Sequence, residues 1–120
     1  MSKPKRFGDV DAYVKALGDA LTECPPKVEE LLRAHYQARG HVRTYPQLAE
    51  TVGYANYGGV NSQYGRLARR VASRLGVTSM PEEGFWGIVL VEWAGSYYPS
   101  GTRFRLRPQL VEALERLGFA

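Results

Sequence analysis

Apolar residues recur at intervals of three and four along the first third of the chain. From Asp9 to about Glu23 the apolar positions are Val10, Tyr13, Val14, Leu17 and Leu21, which predicts one amphipathic helix. Pro25 and Pro26 end it. Pro26 also suits the first position of a second helix, where a missing N–H costs nothing. Val28, Leu31, Leu32 and His35 carry that helix to a predicted stop at Gly40, a left-handed cap.

Thr44 followed by Gln47 has the spacing of a capping box, with Pro46 tolerated in the first turn. A short helix carrying Leu48, Ala49 and Val52 is expected to stop at Gly53. A turn rich in glycine, with Asn56, runs to Gly59, and a long helix is predicted from about Gly59 to Leu75, capped by Gly76. The pattern then changes. Phe85 to Trp93 is rich in β-branched and aromatic residues and predicts a strand. Ala94 to Thr102 predicts a hairpin loop. Arg103 to Arg107 alternates basic and apolar residues, as a half-buried strand with an outward arginine row would. Pro108 opens a last helix with Leu110, Val111, Leu114 and Leu117 as its stripe.

The fold class that follows is α+β: a mainly helical winged helix-turn-helix with a C-terminal β-hairpin and a final helix. The helix-turn-helix spans about 44–76 and the hairpin about 85–107. Residues 1–8 are expected to form a flexible basic arm and 9–120 one domain, as a chain of 120 residues suits. There is no internal repeat and no low-complexity segment.

Charge sharpens this picture at one place. The net charge is +4, from 16 basic and 12 acidic residues, and so modest an excess points only weakly to an anionic partner. Its distribution says more. Successive helical residues lie 100° apart. Val60, Tyr64, Leu67, Val71 and Leu75 therefore share one face of the long helix. Ser62, Arg66, Arg69 and Ser73 fall opposite, flanked by Gln63, Arg70 and Arg74. Residues 56–76 hold four arginines and no acid, whereas a merely solvated helix mixes Glu with Lys in i, i+4 pairs. Arginine matches phosphate and guanine with its planar fork.

Other chemistries find little support. No apolar run reaches the roughly 20 residues of a membrane span. No hydrophobic segment follows the basic Met-Ser-Lys-Pro-Lys-Arg start, so a cytoplasmic location is expected. Cys24, the single cysteine, has no partner for an internal disulfide and reads as structural. His35 and His41 are the only histidines; His35 lies by the apolar stripe of its helix and reads as a packed core residue. One cysteine and two separate histidines give no zinc spacing, and no P-loop is present. Glu29-Glu30 and Glu82-Glu83 lack a nuclease-like context. No catalytic residue, metal or cofactor is expected.

The stretch Gly40-His-Val-Arg-Thr-Tyr-Pro-Gln-Leu-Ala49 resembles the winged-helix segment of alkylguanine-DNA alkyltransferases and alkyltransferase-like proteins. In that family a Thr-Tyr pair opens the first helix of the motif and the tyrosine assists nucleotide flipping; Tyr45 takes that place here. The family's Pro-Cys-His-Arg active-site motif is absent, so the resemblance implies no alkyl transfer. The longer stretch from Tyr45 to Leu75, with Leu-Ala-Glu-Thr-Val-Gly-Tyr and Val-Asn-Ser-Gln-Tyr-Gly-Arg-Leu-Ala-Arg-Arg, is similar to a small module that accompanies HNH-type restriction endonucleases, as is the tail from Leu106. No HNH motif is present, so this resemblance implies a DNA-recognition part without the cutting part.

The expected partner is double-stranded DNA. The expected contacts are Asn61, Ser62, Gln63, Arg66, Arg69 and Arg70 on the long helix, Tyr45 and Asn56 around the turn, and Arg103 and Arg105 on the wing. Arg66 and Arg70 are the foremost phosphate or guanine partners. Tyr54, Tyr57, Tyr97 and Tyr98 lie in predicted turns and are expected mainly to close the core. Two alternatives stand beside this reading: a protein-interaction module, such as a subunit or inhibitor of a defence nuclease, and a non-catalytic sensor of modified or alkylated bases.

Overall fold

The computed structural model describes residues 6–97 and 101–120, apart from the side chains of Ser96 and Tyr97. Helix α1 (Val10–Leu21) begins where the Asp9 carboxylate accepts the Ala12 N–H at 2.9 Å. Helix α2 (Pro26–Gln37) starts on its proline as expected. It stops short of Gly40, because Ala38 is already extended. A single 3-10 turn, Arg39–His41, follows, with Gly40 and His41 at φ of 65° and 59°. The His41 ring holds the reversal by donating from Nδ1 to the Tyr36 carbonyl at 2.6 Å.

That reversal delivers the chain to strand β1 (Val42–Thr44), which the hydrophobic pattern does not reveal. Three residues are too few to display alternation, and the strand exists because a distant strand offers it an edge. Helix α3 (Tyr45–Val52) has both halves of its capping box: the Thr44 N–H donates to Gln47 Oε1 at 2.9 Å and the Gln47 N–H to Thr44 Oγ1 at 3.2 Å. Gly53 ends it in the left-handed conformation at φ 90°. Helix α4 (Tyr57–Arg74) begins two residues before the expected Gly59, because Asn56 caps it, accepting the Gly58 N–H at 2.8 Å. Tyr57 is thus a helical residue, not a turn residue.

The hairpin departs most from expectation. Trp86–Val89 forms a 3-10 turn, and strand β2 is Val91–Tyr97, shifted from the expected Phe85–Trp93. Residues 87–91 are all buried, so the run has no solvent face along which a half-buried strand could alternate. The carbonyls this turn leaves unpaired find partners elsewhere in the chain. Tyr13 Oη donates to Val89 O at 2.7 Å, Arg107 Nε donates to Ile88 O, and the Arg107 N–H donates to Leu90 O at 3.0 Å. Strand β3 (Gly101–Leu106) shortens the expected 94–102 loop, since both strands extend into it. Arg107 therefore lies beyond the strand and is 7% exposed, a correction to the outward row of three arginines. Helix α5 (Pro108–Arg116) opens on Pro108 as predicted.

The sheet has the order β1-β3-β2, antiparallel throughout. Val42 faces Arg105 and Thr44 faces Arg103 on one side; Val91 faces Leu106 and Trp93 faces Phe104 on the other, with a register shift between Trp93 and Ser96. Together these elements make an α+β fold of five helices and one three-stranded sheet. Helix α4 crosses its middle, packing against α1, α3 and the Trp86–Val89 turn, and α5 closes on α1. Tyr13, Leu17, Leu31, Leu32, Tyr64, Leu67, Leu110 and Leu114 are fully buried in one core. Arg6, Phe7 and Gly8, expected from the sequence to belong to a flexible arm, dock on the domain. Arg6 pairs with Glu83, its carbonyl accepts from Gln109 Nε2 at 2.8 Å, and the Phe7 ring lies under the guanidinium of Arg107. Lys3 and Lys5 lie outside the described residues. No helix is long and apolar enough to cross a membrane among the described residues.

Candidate nucleic-acid interface

The division of α4 into two faces is realised. Val60, Tyr64, Leu67, Ala68, Val71 and Ala72 are buried. Asn61, Ser62, Arg66 and Arg69 are exposed, and Gln63 is partly covered. No acidic residue interrupts the chain between Glu50 and Glu82, so α4 and residues 75–81 after it contribute no negative charge to their own surface.

The exposed face is one wall of a cleft of about 410 Å³. Asn61, Ser62, Gly65, Arg66 and Arg69 line it from α4. Met80, Phe85 and Trp86 line it from the loop that leads to β2, and Tyr45 closes the end nearest α3. The Arg69 guanidinium lies over the Trp86 ring, 5.7 Å from its centroid, which steadies the side chain while leaving it in solvent. The hydrophobic pattern does not place this aromatic wall; its one signal in the sequence is the adjacent Phe85-Trp86 pair set between Gly84 and Gly87. A Cβ at Gly87 would lie 3.2 Å from the Phe85 ring and 3.4 Å from the Tyr45 hydroxyl, so the glycine lets both side chains approach the turn without giving way.

Tyr45 is 8% exposed and works mainly as a packing residue. Its ring stacks on Phe104, centroids 4.7 Å apart, and meets Tyr64 edge-on at 5.7 Å. Burial pushes its hydroxyl pKa well above the ordinary tyrosine value. The stack continues outward from Phe104 to Phe85 and from Phe85 to Trp93, which is 53% exposed. A chain of aromatic rings thus runs from the core beneath α4 to the outer surface of the sheet.

Not every expected residue joins this surface. Arg70 is turned toward the end of α1, where its Nε lies 3.8 Å from the Glu23 carboxylate and Nη1 lies 3.3 Å from Cys24 Sγ. Arg74 pairs with the same Glu23. The acid missing from α4 is therefore supplied by another element, at the C-terminal end of the helix only. Among the described residues no ion pair holds Arg66 or Arg69. Asn56 spends its side-chain oxygen on the cap of α4. On the hairpin, Arg105 is exposed beside Glu92, 3.7 Å away across the strands, and Arg103 is half-buried against the bulge at Gly95. Tyr57 is 61% exposed and Tyr54 is half-buried with the Lys27 ammonium over its ring. Tyr98 and the Tyr97 side chain lie outside the described residues.

Beneath the site, His35 is fully buried and neutral. Burial holds its pKa down to about 4. Its Nε2 donates to the Phe104 carbonyl of β3 at 2.9 Å, so Nδ1 is free to accept the Tyr64 hydroxyl of α4 at 2.7 Å. One imidazole from α2 thereby joins α4 to the hairpin. Among the described residues no group of three His, Cys, Asp or Glu side chains is placed to hold a metal. Comparison of the chain with known protein families, curated proteins and solved structures finds no match.

Proposed function

We propose that this chain binds double-stranded DNA, without catalysing a reaction, as a winged helix-turn-helix of the cytoplasm. Helices α3 and α4 form the helix-turn-helix, α4 enters the major groove with its N-terminal half, and the β2–β3 hairpin is the wing. The order of elements supports this reading, since β1 stands between α2 and α3 and pairs with the hairpin as a third strand. The observation that carries it is the outer face of α4. Amide and hydroxyl groups (Asn61, Ser62) lie toward its N-terminus, and Arg66 and Arg69, held by no ion pair among the described residues, lie further along. Amides and guanidinia read base edges and phosphates, and a recognition helix presents its first turns to the bases.

The test is equilibrium binding of mixed-sequence duplex DNA over a series of salt concentrations. Binding through phosphates weakens by about 0.9 log units per log unit of salt for each contact. The double variant Arg66→Glu, Arg69→Glu keeps its fold, because both side chains point to solvent, and loses at least roughly tenfold in affinity with a shallower salt slope. Absence of duplex binding at low salt removes the proposal and leaves a protein, such as a nuclease subunit, as the partner class.

A further inference from the structure

A second concavity adjoins the arginine-lined cleft, and its chemistry is different. It has a volume of about 350 Å³ and lies between the start of α4 and β3. Tyr45, Pro46, Tyr57, Thr102 and Phe104 line it, and Asn61 stands on the ridge between it and the cleft. No charged side chain faces it among the described residues. Tyr57 is the first residue of α4 and the most exposed large apolar side chain among the described residues. Its ring makes no aromatic pair within the fold among the described residues. A ring so exposed at a helix N-terminus gains nothing from the core that the position could not do without.

Resting on the duplex reading above, we infer that this apolar concavity takes the C5-methyl group of a pyrimidine, and that Tyr57 is its specificity-determining residue. The argument is one of chemical complement. The cleft on the far side of Asn61 is polar and carries Arg66 and Arg69, which suits a polyanion, while Glu50 lines the surface on the other side of Pro46 and Tyr57. Base edges in the major groove present hydrogen-bond donors and acceptors, with a single apolar group, the C5-methyl of thymine. Residues at the first and fifth positions of a helix share a face, so Tyr57 and Asn61 address neighbouring points of one groove. Asn61 offers the amide that pairs with an adenine edge, and Tyr57 with Pro46 and Phe104 offers the apolar contact. Cytosine methylated at C5 presents the same group and is the second source of it.

The experiment is selection of the tightest-binding sequence from a random duplex pool, using the full chain. That sequence is resynthesised with deoxyuridine in place of each thymine in turn and with 5-methylcytosine in place of each cytosine in turn. Replacement of thymine by deoxyuridine at one position is expected to weaken binding roughly fourfold, the value of one buried methyl. In Tyr57→Ala that sensitivity is lost, while thermal unfolding stays as in the wild-type chain. Tightening by 5-methylcytosine at that position, in place of thymine, identifies methylated cytosine as the source. A pool that yields no preferred sequence, a preferred sequence with no methyl-dependent position, or a methyl dependence that survives Tyr57→Ala overturns the inference while the duplex reading stands. Equal weakening of thymine and deoxyuridine duplexes by Tyr57→Ala assigns the ring to the sugar backbone and also overturns it. Failure to bind any duplex overturns both.

Discussion

His35 accepts the Tyr64 hydroxyl at Nδ1, 2.7 Å away, and neither side chain has any exposed surface. The bond fixes α4 against α2, and the opposite ring nitrogen fixes both against the carbonyl of Phe104 in β3. Removing the hydroxyl alone leaves a buried acceptor without a donor. Tyr64→Phe is therefore expected to destabilise the fold by about 1–3 kcal/mol, more than the loss of an exposed hydrogen bond. Urea unfolding checks this. A change below about 0.5 kcal/mol would mean that the bond is replaced by another donor.

The same histidine makes stability depend on pH. Its folded pKa, about 4, lies below the ordinary value of 6.5, so the unfolded chain binds the proton more readily between these values. Stability is then complete above about pH 6.5 and falls as pH drops toward 4, by roughly 2–3 kcal/mol at pH 4.5. Glu83, held by Arg6 at about 2 instead of 4.5, contributes its own loss below pH 4.5. The window from 6.5 to 4.5 isolates His35. Denaturant titrations of the wild-type chain and of His35→Gln should differ in slope there, and parallel curves would reject the assignment.

Gly65 sits in the middle of α4, where glycine costs about 0.5–1 kcal/mol relative to alanine. A Cβ added there meets nothing within 4 Å, so packing does not require the glycine. It lines the arginine-bearing cleft. If that cleft receives DNA, the bare backbone allows close approach. Gly65→Ala is expected to raise thermal stability and to weaken duplex binding. Tighter or unchanged binding would detach the glycine from the interface.

Glu23 neutralises the C-terminal arginines of α4 through Arg70 and Arg74. Both pairs are partly exposed and worth little to stability. Glu23→Gln should leave the unfolding midpoint nearly unchanged, while duplex affinity rises severalfold and its salt dependence steepens, since two cations become available to phosphate. An unaltered salt slope would place these arginines off the DNA path.

Much of the helical framework is legible in the order of the residues. Pro26 and Pro108 start helices, Thr44 with Gln47 builds a capping box, Gly53 ends α3, and the period of α4 sorts Tyr64 and Leu67 from Ser62 and Arg66. These signals are local: a cap or a helical face is decided within four residues, by backbone donors and side chains on the same element. The candidate site is legible in part for the same reason. Asn61, Ser62, Arg66 and Arg69 lie where helical spacing puts them, but the aromatic wall opposite them comes from residues 80–87, and no local pattern joins the two.

What the tertiary structure decided are the features whose hydrogen-bond or charge partners lie far along the chain. Strand β1 exists because β3 has an open edge for it. Residues 86–89 turn instead of extending because Tyr13 and Arg107 satisfy their carbonyls from 76 and 19 positions away. Arg107 is buried by that same contact, and Arg70 is drawn from the outer face by a carboxylate on another segment, at the end of α1. The sequence alone determined the helices and the face α4 presents to solvent, because those depend on the period of one element. It could not determine which arginines are left to face solvent there without an acidic neighbour, because an ion pair is set by distance in space and carries no trace in local order.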